Sequence, residues 1–111
     1  MKKPRIYISG PISGQDTLKC FEAFGRAEEI LKAQGYEVFN PLNNGLPFDA
    51  ATSRHMQRDL AELTREDDPY DAIYMMEKWN HSAGCWTEFH VACAIGLNVY
   101  FEQAGEFIRF V

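Results

Sequence analysis

The sequence predicts an α/β domain built on a mainly parallel sheet. Short strand-like runs and longer helix-like segments alternate along the 111 residues, and no repeat, linker or low-complexity tract interrupts them. Strict alternation with short connections is typical of a parallel sheet that carries helices on both faces. The length suits one domain, residues 1–111, with a single hydrophobic core.

The first half of the chain predicts two strands separated by a helix. Residues 5–9 are rich in β-branched and aromatic side chains and stop at a Gly-Pro turn, which indicates a strand. Apolar residues then recur every three or four positions, from a cap at Asp16 or Thr17 to Gly35, which indicates an amphipathic helix. Residues 36–39 form the second predicted strand, which an Asn-Pro pair ends.

The second half repeats this alternation. A loop over residues 43–53 precedes a second amphipathic helix with apolar residues at positions 56, 60 and 63. The remaining predicted elements are a strand at 71–76, a loop at 80–83, a helix that runs to Gly96, a strand at 98–101, and a fifth strand or edge cover at 107–111. The pattern predicts a flavodoxin-like (Rossmann-like) three-layer sandwich with four or five strands.

Composition excludes several classes of function. The net charge is −5 and the Lys and Arg residues are scattered, which disfavours nucleic-acid binding. No apolar run approaches the roughly 20 residues of a membrane span, so no membrane partner is expected. The N-terminus lacks the apolar stretch of a signal peptide, and Cys20, Cys85 and Cys93 are odd in number, so free thiols in a reducing cytoplasm are expected.

The most informative single residue is Glu88, a carboxylate in a segment that otherwise has the composition of a buried helix. Ala92 and Ile95 follow four and seven positions later, so helical periodicity places all three on one apolar stripe. A buried, unpaired carboxylate costs several kcal/mol. Glu88 is therefore the first candidate for a functional site.

Three polar loops are expected to meet near Glu88. Residues 10–14, 40–45 and 80–84 follow the first three strands, and ligands of parallel sheets bind at the carboxyl ends of the strands. The first loop offers backbone N–H groups for a phosphate or a ribose, but it matches neither phosphate-binding glycine motif. A turn without any ligand role is the alternative for this loop.

Three short motifs in order carry a resemblance to a known family. They are Ile-Tyr-Ile-Ser-Gly-Pro-Ile at residues 6–12, Arg-Asp-Leu at 58–60, and the segment at 82–88. Together they resemble the nucleoside 2-deoxyribosyltransferase-like proteins, which include transferases, deoxynucleoside-monophosphate N-glycosidases and many small phage and prophage proteins. The resemblance extends from about residue 6 to residue 101, nearly the whole chain.

The resemblance implies a role for each matched residue. Glu88 is expected to attack the anomeric carbon, Asp59 to protonate the departing base, Tyr7 to orient Glu88, and Ser82 to contact base or phosphate. Trp86 is a departure from the family, whose motifs carry smaller residues or Tyr nearby, and its aromatic face can stack on a base. The full expected ligand-binding set is Tyr7, Ser9, Gly10, Pro11, Ile12, Asn40, Asp59, Ser82, Gly84, Trp86 and Glu88.

Simpler readings of these residues remain open. Asp59 and Tyr7 could be ordinary surface and strand residues, and Trp86 could belong to the core. His90 is two residues from Glu88 and so points to another side of the helix, which argues against a metal there. Neither a metal nor a cofactor is expected.

The resemblance leaves two hypotheses of function. The sequence ends soon after its last strand-like segment, where the transferases continue into a tail that closes a neighbour's active site. This favours binding without cleavage, as in phage anti-Thoeris proteins that sequester a signal of the cyclic ADP-ribose type. The alternative is a deoxyribosyltransferase or N-glycosidase with Glu88 as the nucleophile. Either way, a nucleotide-type ligand, a homodimer or homotetramer, and the cytoplasm (of the host, if phage-encoded) are expected.

Overall fold

A five-stranded sheet forms the centre of the protein. The computed structural model describes residues 2–103 and 106–109. The strands lie in the order β2-β1-β3-β4-β5; the first four run parallel and β5 runs antiparallel to β4. Their bounds are β1 Arg5–Ser9, β2 Glu37–Phe39, β3 Ala72–Met75, β4 Asn98–Gln103 and β5 Glu106–Arg109.

Helices cover both faces of this sheet. They are α1 Thr17–Ala33, α2 Thr52–Leu63 and α3 Ala83–Ala94, with short 3-10 helices at Pro41–Asn43 and Trp79–His81. The stripe Phe24, Ala27 and Leu31 of α1 packs in the core on one face, while Leu63 of α2 and Ala92 of α3 belong to the core on the other. The predicted three-layer, flavodoxin-like α/β fold is confirmed.

Alternation along β1 assigns its side chains to two different cores. Ile6 and Ile8 face α1, whereas Tyr7 belongs to the core on the opposite side, because successive side chains of a strand point to opposite faces. Ser9, two positions after Tyr7, shares its face and is fully buried. The face of β1 that turns toward α3 therefore carries two hydroxyl groups.

Individual boundaries and orientations differ in detail from the sequence predictions. Asp16 is the cap of α1, since its side chain accepts a hydrogen bond from the Lys19 N–H at 2.9 Å. Glu88 and Ala92 are buried as predicted, but Ile95 is 49% exposed, so its predicted place on the buried stripe is wrong. Helix α3 ends at Ala94, so Ile95 follows as a cap residue. Of the predicted segment 107–111, residues 110 and 111 lie outside the described residues.

The order of the strands fixes where a ligand can bind. The connections after β1 and β3, which are neighbours in the sheet, leave toward opposite faces, with α1 on one and α3 on the other. This is the switch point of the sheet, where a crevice opens beyond the carboxyl ends of the strands. Within the described residues, no helix combines the length and the apolar character needed to cross a membrane.

Candidate functional site

A cavity of about 520 Å³ opens at this switch point. Its wall combines the loop after β1, the segment between β2 and α2, one side of α2, and the beginning of α3. A volume of this size suits a small-molecule ligand. The residues that were predicted for the site and that line the cavity are Gly10, Pro11, Ile12, Asp59, Ser82, Gly84 and Glu88.

Glu88 lies at the base of the cavity and is held by two hydroxyl groups from β1. It is 6% exposed. The Tyr7 hydroxyl donates to Oε2 of Glu88, and the Ser9 hydroxyl donates to Oε1 at 2.7 Å. Because the two donors are two positions apart on one strand, the strand itself fixes the orientation of the carboxyl group. Tyr7 and Ser9 do not line the cavity; they support Glu88 from behind.

Burial dominates the acid–base properties of this group. It raises the pKa of Glu88 from 4.5 to about 7, although hydrogen bonds from Tyr7 and Ser9 favour the charged form and oppose the rise. The negative charge of Asp59 contributes to the rise. Burial, and then the charge of Glu88, also raises the pKa of the Tyr7 hydroxyl well above 10, so that hydroxyl keeps its proton and remains a donor.

Asp59 brings a second buried carboxyl group to the same cavity. It projects from α2, is 6% exposed, and accepts a hydrogen bond at Oδ1 from Nδ2 of Asn44 at 2.9 Å. Burial raises the pKa of Asp59, while the Asn44 hydrogen bond opposes the rise. Two buried carboxyl groups at one cavity can divide the roles of nucleophile and acid.

The first turn of α3 forms the wall beside Glu88. Ser82 caps this helix, because its Oγ accepts a hydrogen bond from the Cys85 N–H at 3.2 Å. Gly84 allows α2 to approach closely: a Cβ atom at this position would lie 2.8 Å from Cε of Met56. The predicted contact residues Ser82 and Gly84 therefore also shape the cavity.

Besides Tyr7 and Ser9, two further residues of the predicted set, Asn40 and Trp86, do not line the cavity. Asn40 donates from Nδ2 to Oε1 of Glu28 at 3.1 Å, and its Oδ1 caps the first 3-10 helix. Trp86 packs against Trp79 with ring centroids 4.6 Å apart, and its indole N–H donates to the Asn80 carbonyl at 2.9 Å. Neither side chain is among those that line the cavity.

Sequence reasoning missed several wall or support residues. Asn44 is buried behind Asp59, and His55, Phe48 and His81 line the cavity. The signal for Asn44 was weak, because an Asn-Gly pair in a loop more often marks a turn than a buried contact. His55 precedes Asp59 by four residues, so helical spacing could have placed both side chains on one face of α2.

The charged side chains of the cavity wall are acidic, which is unusual for a site that binds an anion. Among the described lining residues, acidic side chains occur at Asp59 and Glu88, and no Lys or Arg side chain is present. In the described part of the chain, no group of three or more His, Cys, Asp or Glu side chains is arranged to hold a metal ion. The arrangement suits carboxylate chemistry on a ligand with little negative charge.

Comparison with known proteins leaves the activity open. No curated protein and no solved structure matches the sequence. Residues 4–101 match the family described as a domain of unknown function, DUF4406. This match includes every wall residue described above. The chain belongs to the DUF4406 family.

Proposed function

We propose that the protein cleaves or transfers the N-glycosidic bond of a nucleoside or nucleoside monophosphate, with Glu88 as the nucleophile. The observation that carries this proposal is the placement of Glu88: a buried carboxyl group faces a ligand-sized cavity while two hydroxyl groups fix both of its oxygens from behind. Asp59, on another side of the same cavity, supplies the second carboxyl group that such chemistry needs.

The reaction proceeds in two displacements. A carboxylate oxygen of Glu88 attacks the anomeric carbon, the carbon–nitrogen bond breaks, and its electron pair leaves with the base. Asp59 donates the proton that the departing base requires. Water or a second base then attacks the glycosyl ester, which releases Glu88, and Asp59 recovers its proton from the attacking group. The product keeps the configuration of the substrate, as in retaining glycosidases.

The charge of the wall favours a weakly charged substrate. A ligand with two phosphates would bring two or more negative charges beside Asp59 and Glu88, and the described wall offers no Lys or Arg side chain to offset them. A nucleoside adds no charge. The single phosphate of a monophosphate can remain at the solvent-exposed mouth or bind backbone N–H groups of the loop after β1.

A second candidate function is sequestration of a cyclic ADP-ribose type signal without cleavage, as in a phage anti-Thoeris protein. The observation that favours it is the pKa of about 7 for Glu88, since a carboxyl group that is only half ionised at neutral pH is a weaker nucleophile than an ordinary carboxylate. Retention of a ligand requires affinity rather than turnover. For either function we propose a homodimer or homotetramer in the cytoplasm, which is the host cytoplasm if a phage encodes the protein.

One experiment separates the two functions. Purified protein is incubated with deoxynucleosides, their monophosphates or cyclic ADP-ribose isomers, unbound ligand is removed, and both fractions are identified by mass spectrometry, the protein fraction after heat denaturation. Free base or an exchanged nucleoside supports the enzyme; intact cyclic nucleotide, released only by heat, supports sequestration.

Glu88→Gln serves as the active-site variant in this experiment. It should abolish base release while the protein stays folded, because Gln has a similar shape but no nucleophilic oxygen. Glu22→Gln, at an exposed position of α1, is the matched control and should release base at the wild-type rate. Wild-type turnover by Glu88→Gln would exclude the proposed nucleophile.

A further inference from the structure

We propose that Asn44 is a positioning residue: it selects which oxygen of Asp59 carries the catalytic proton and joins Asp59 to the wall segment of residues 45–50. The catalytic part of this inference rests on the proposed function. The structural part concerns Asn44 and Asp59 alone and can be tested without turnover.

Every polar group of the Asn44 side chain has a partner. The residue is 7% exposed. Its Nδ2 lies 2.9 Å from Oδ1 of Asp59 and 3.0 Å from Nδ1 of His55, which occupies both amide hydrogens. Its Oδ1 accepts a hydrogen bond from the Leu46 N–H at 3.0 Å. A rotated amide would face Asp59 and Leu46 with the wrong groups, so this network specifies one orientation.

The same network determines where the proton of Asp59 can reside. Oδ1 of Asp59 accepts the Asn44 amide hydrogen, so a proton on that oxygen would compete for the same position. The acidic proton must therefore be on Oδ2. A fixed proton position matters for an acid, because a misplacement of about 1 Å can lower the rate about 100-fold.

His55 extends the network to the mouth of the cavity. Because the Asn44 amide can only donate toward Nδ1 of His55, that nitrogen accepts and Nε2 donates to the Phe48 carbonyl at 3.3 Å. Phe48 lines the cavity, is 44% exposed, and contacts Phe21 of α1 with ring centroids 5.6 Å apart. The wall segment that carries Phe48 is thus linked to Asp59 through two side chains.

A hydrogen bond from a side chain of α2 to the backbone of Asn44 also holds this segment against the helix. Nη1 of Arg58 donates to the Asn44 carbonyl at 3.0 Å. Gly45 has a φ of +88°, and a Cβ atom there would lie 3.1 Å from the same Nη1 atom. The turn at Gly45 therefore depends on glycine, and it directs the chain from Asn44 toward Phe48 at the cavity mouth.

Two substitutions separate the roles of Asn44. Asn44→Asp keeps an oxygen that can accept the Leu46 N–H but removes the donation to Asp59 and adds a negative charge. Asn44→Ala removes the side-chain hydrogen bonds with Asp59, His55 and Leu46. Asn43→Ala, at the exposed neighbouring position, is the matched control. The first measurement is a carbon-13 NMR titration of the Asp59 carboxyl group, assigned with Asp59→Asn.

We expect the pKa of Asp59 to rise in Asn44→Ala, because a hydrogen bond that favours the carboxylate is lost, and to rise further in Asn44→Asp, because of the added charge. Asn43→Ala should titrate as the wild type does. An unchanged Asp59 titration in both Asn44 variants overturns the proposal, whatever their melting temperatures.

Kinetics then tests the catalytic part. Both variants should lower kcat about tenfold or more, with a shifted pH profile, and Asn44→Ala alone should also raise KM because the wall segment loses its anchor. Wild-type kcat in Asn44→Asp overturns the assigned role. If the wild-type protein releases no base from any nucleoside, the proposed function fails, while the titration still decides whether Asn44 controls Asp59.

Discussion

Replacement of Glu88 by Gln should stabilise the folded protein, and the gain should increase with pH. Burial raises the pKa of Glu88 from 4.5 to about 7 in the folded state. Between those values the unfolded chain releases a proton that the folded protein retains, so the free energy of unfolding falls as pH rises. The loss approaches about 3 kcal/mol above neutral pH, and most of it develops between about pH 5 and pH 8.

Urea unfolding at both pH values measures this effect. The difference in unfolding free energy between Glu88→Gln and wild type should be about 2–3 kcal/mol larger at the higher pH. A constant difference reflects only the altered hydrogen bonds of the amide with Tyr7 and Ser9, so the change with pH is the informative quantity. Glu22→Gln, at an exposed position, should show no such change. A difference that stays constant, or that shrinks with pH, would refute the reasoning.

Three further predictions address the cavity and its surroundings. Gly10→Ala should cost about 1–3 kcal/mol in thermal unfolding, because its Cβ would lie 2.6 Å from Sδ of Met76 and 3.0 Å from Cζ of Phe24; an unchanged melting temperature contradicts this. Trp86→Ala should leave ligand affinity in calorimetry unchanged, since Trp86 lies outside the cavity wall, and a large loss would show that it contacts ligand. The kcat/KM for base release should be bell-shaped against pH, because the reaction needs an ionised Glu88 and a protonated Asp59 together; a profile that shows no fall at high pH contradicts this division of roles.

The fold could be predicted from the sequence because its signals are local. The predicted apolar stripe of α1 comprises Phe21, Phe24, Ala27 and Leu31; the last three are buried, whereas Phe21 is 46% exposed, so its predicted place on the buried face is wrong. Alternation of strands and helices then restricts the topology, since parallel strands need crossovers and these are almost always right-handed. The strand order itself, with β1 between β2 and β3, came from the general fold class and not from any single residue.

The site was predictable where polar loops follow the parallel strands, where short motifs occur, and where one residue carries an anomaly. Glu88 stands out because a carboxylate interrupts an apolar helix, and the structure buries it at the cavity. Asn44 carries no comparable signal, because its importance comes from long-range contacts with Asp59 and His55 that periodicity does not encode. Ser9 likewise was expected to touch ligand, whereas its hydroxyl is committed to Glu88.

The protonation states of the two carboxyl groups connect the two proposed functions. Displacement of a base requires an ionised Glu88 and a protonated Asp59, yet burial keeps a proton on Glu88 up to about pH 7. A ligand that covers Asp59 removes water from it and raises its pKa further, and positive charge at the anomeric carbon favours ionised Glu88. The ligand thus supplies the protonation states that the free protein lacks. A base that reaches Asp59 should be cleaved, and a ligand whose base does not reach it should be held intact in the same cavity.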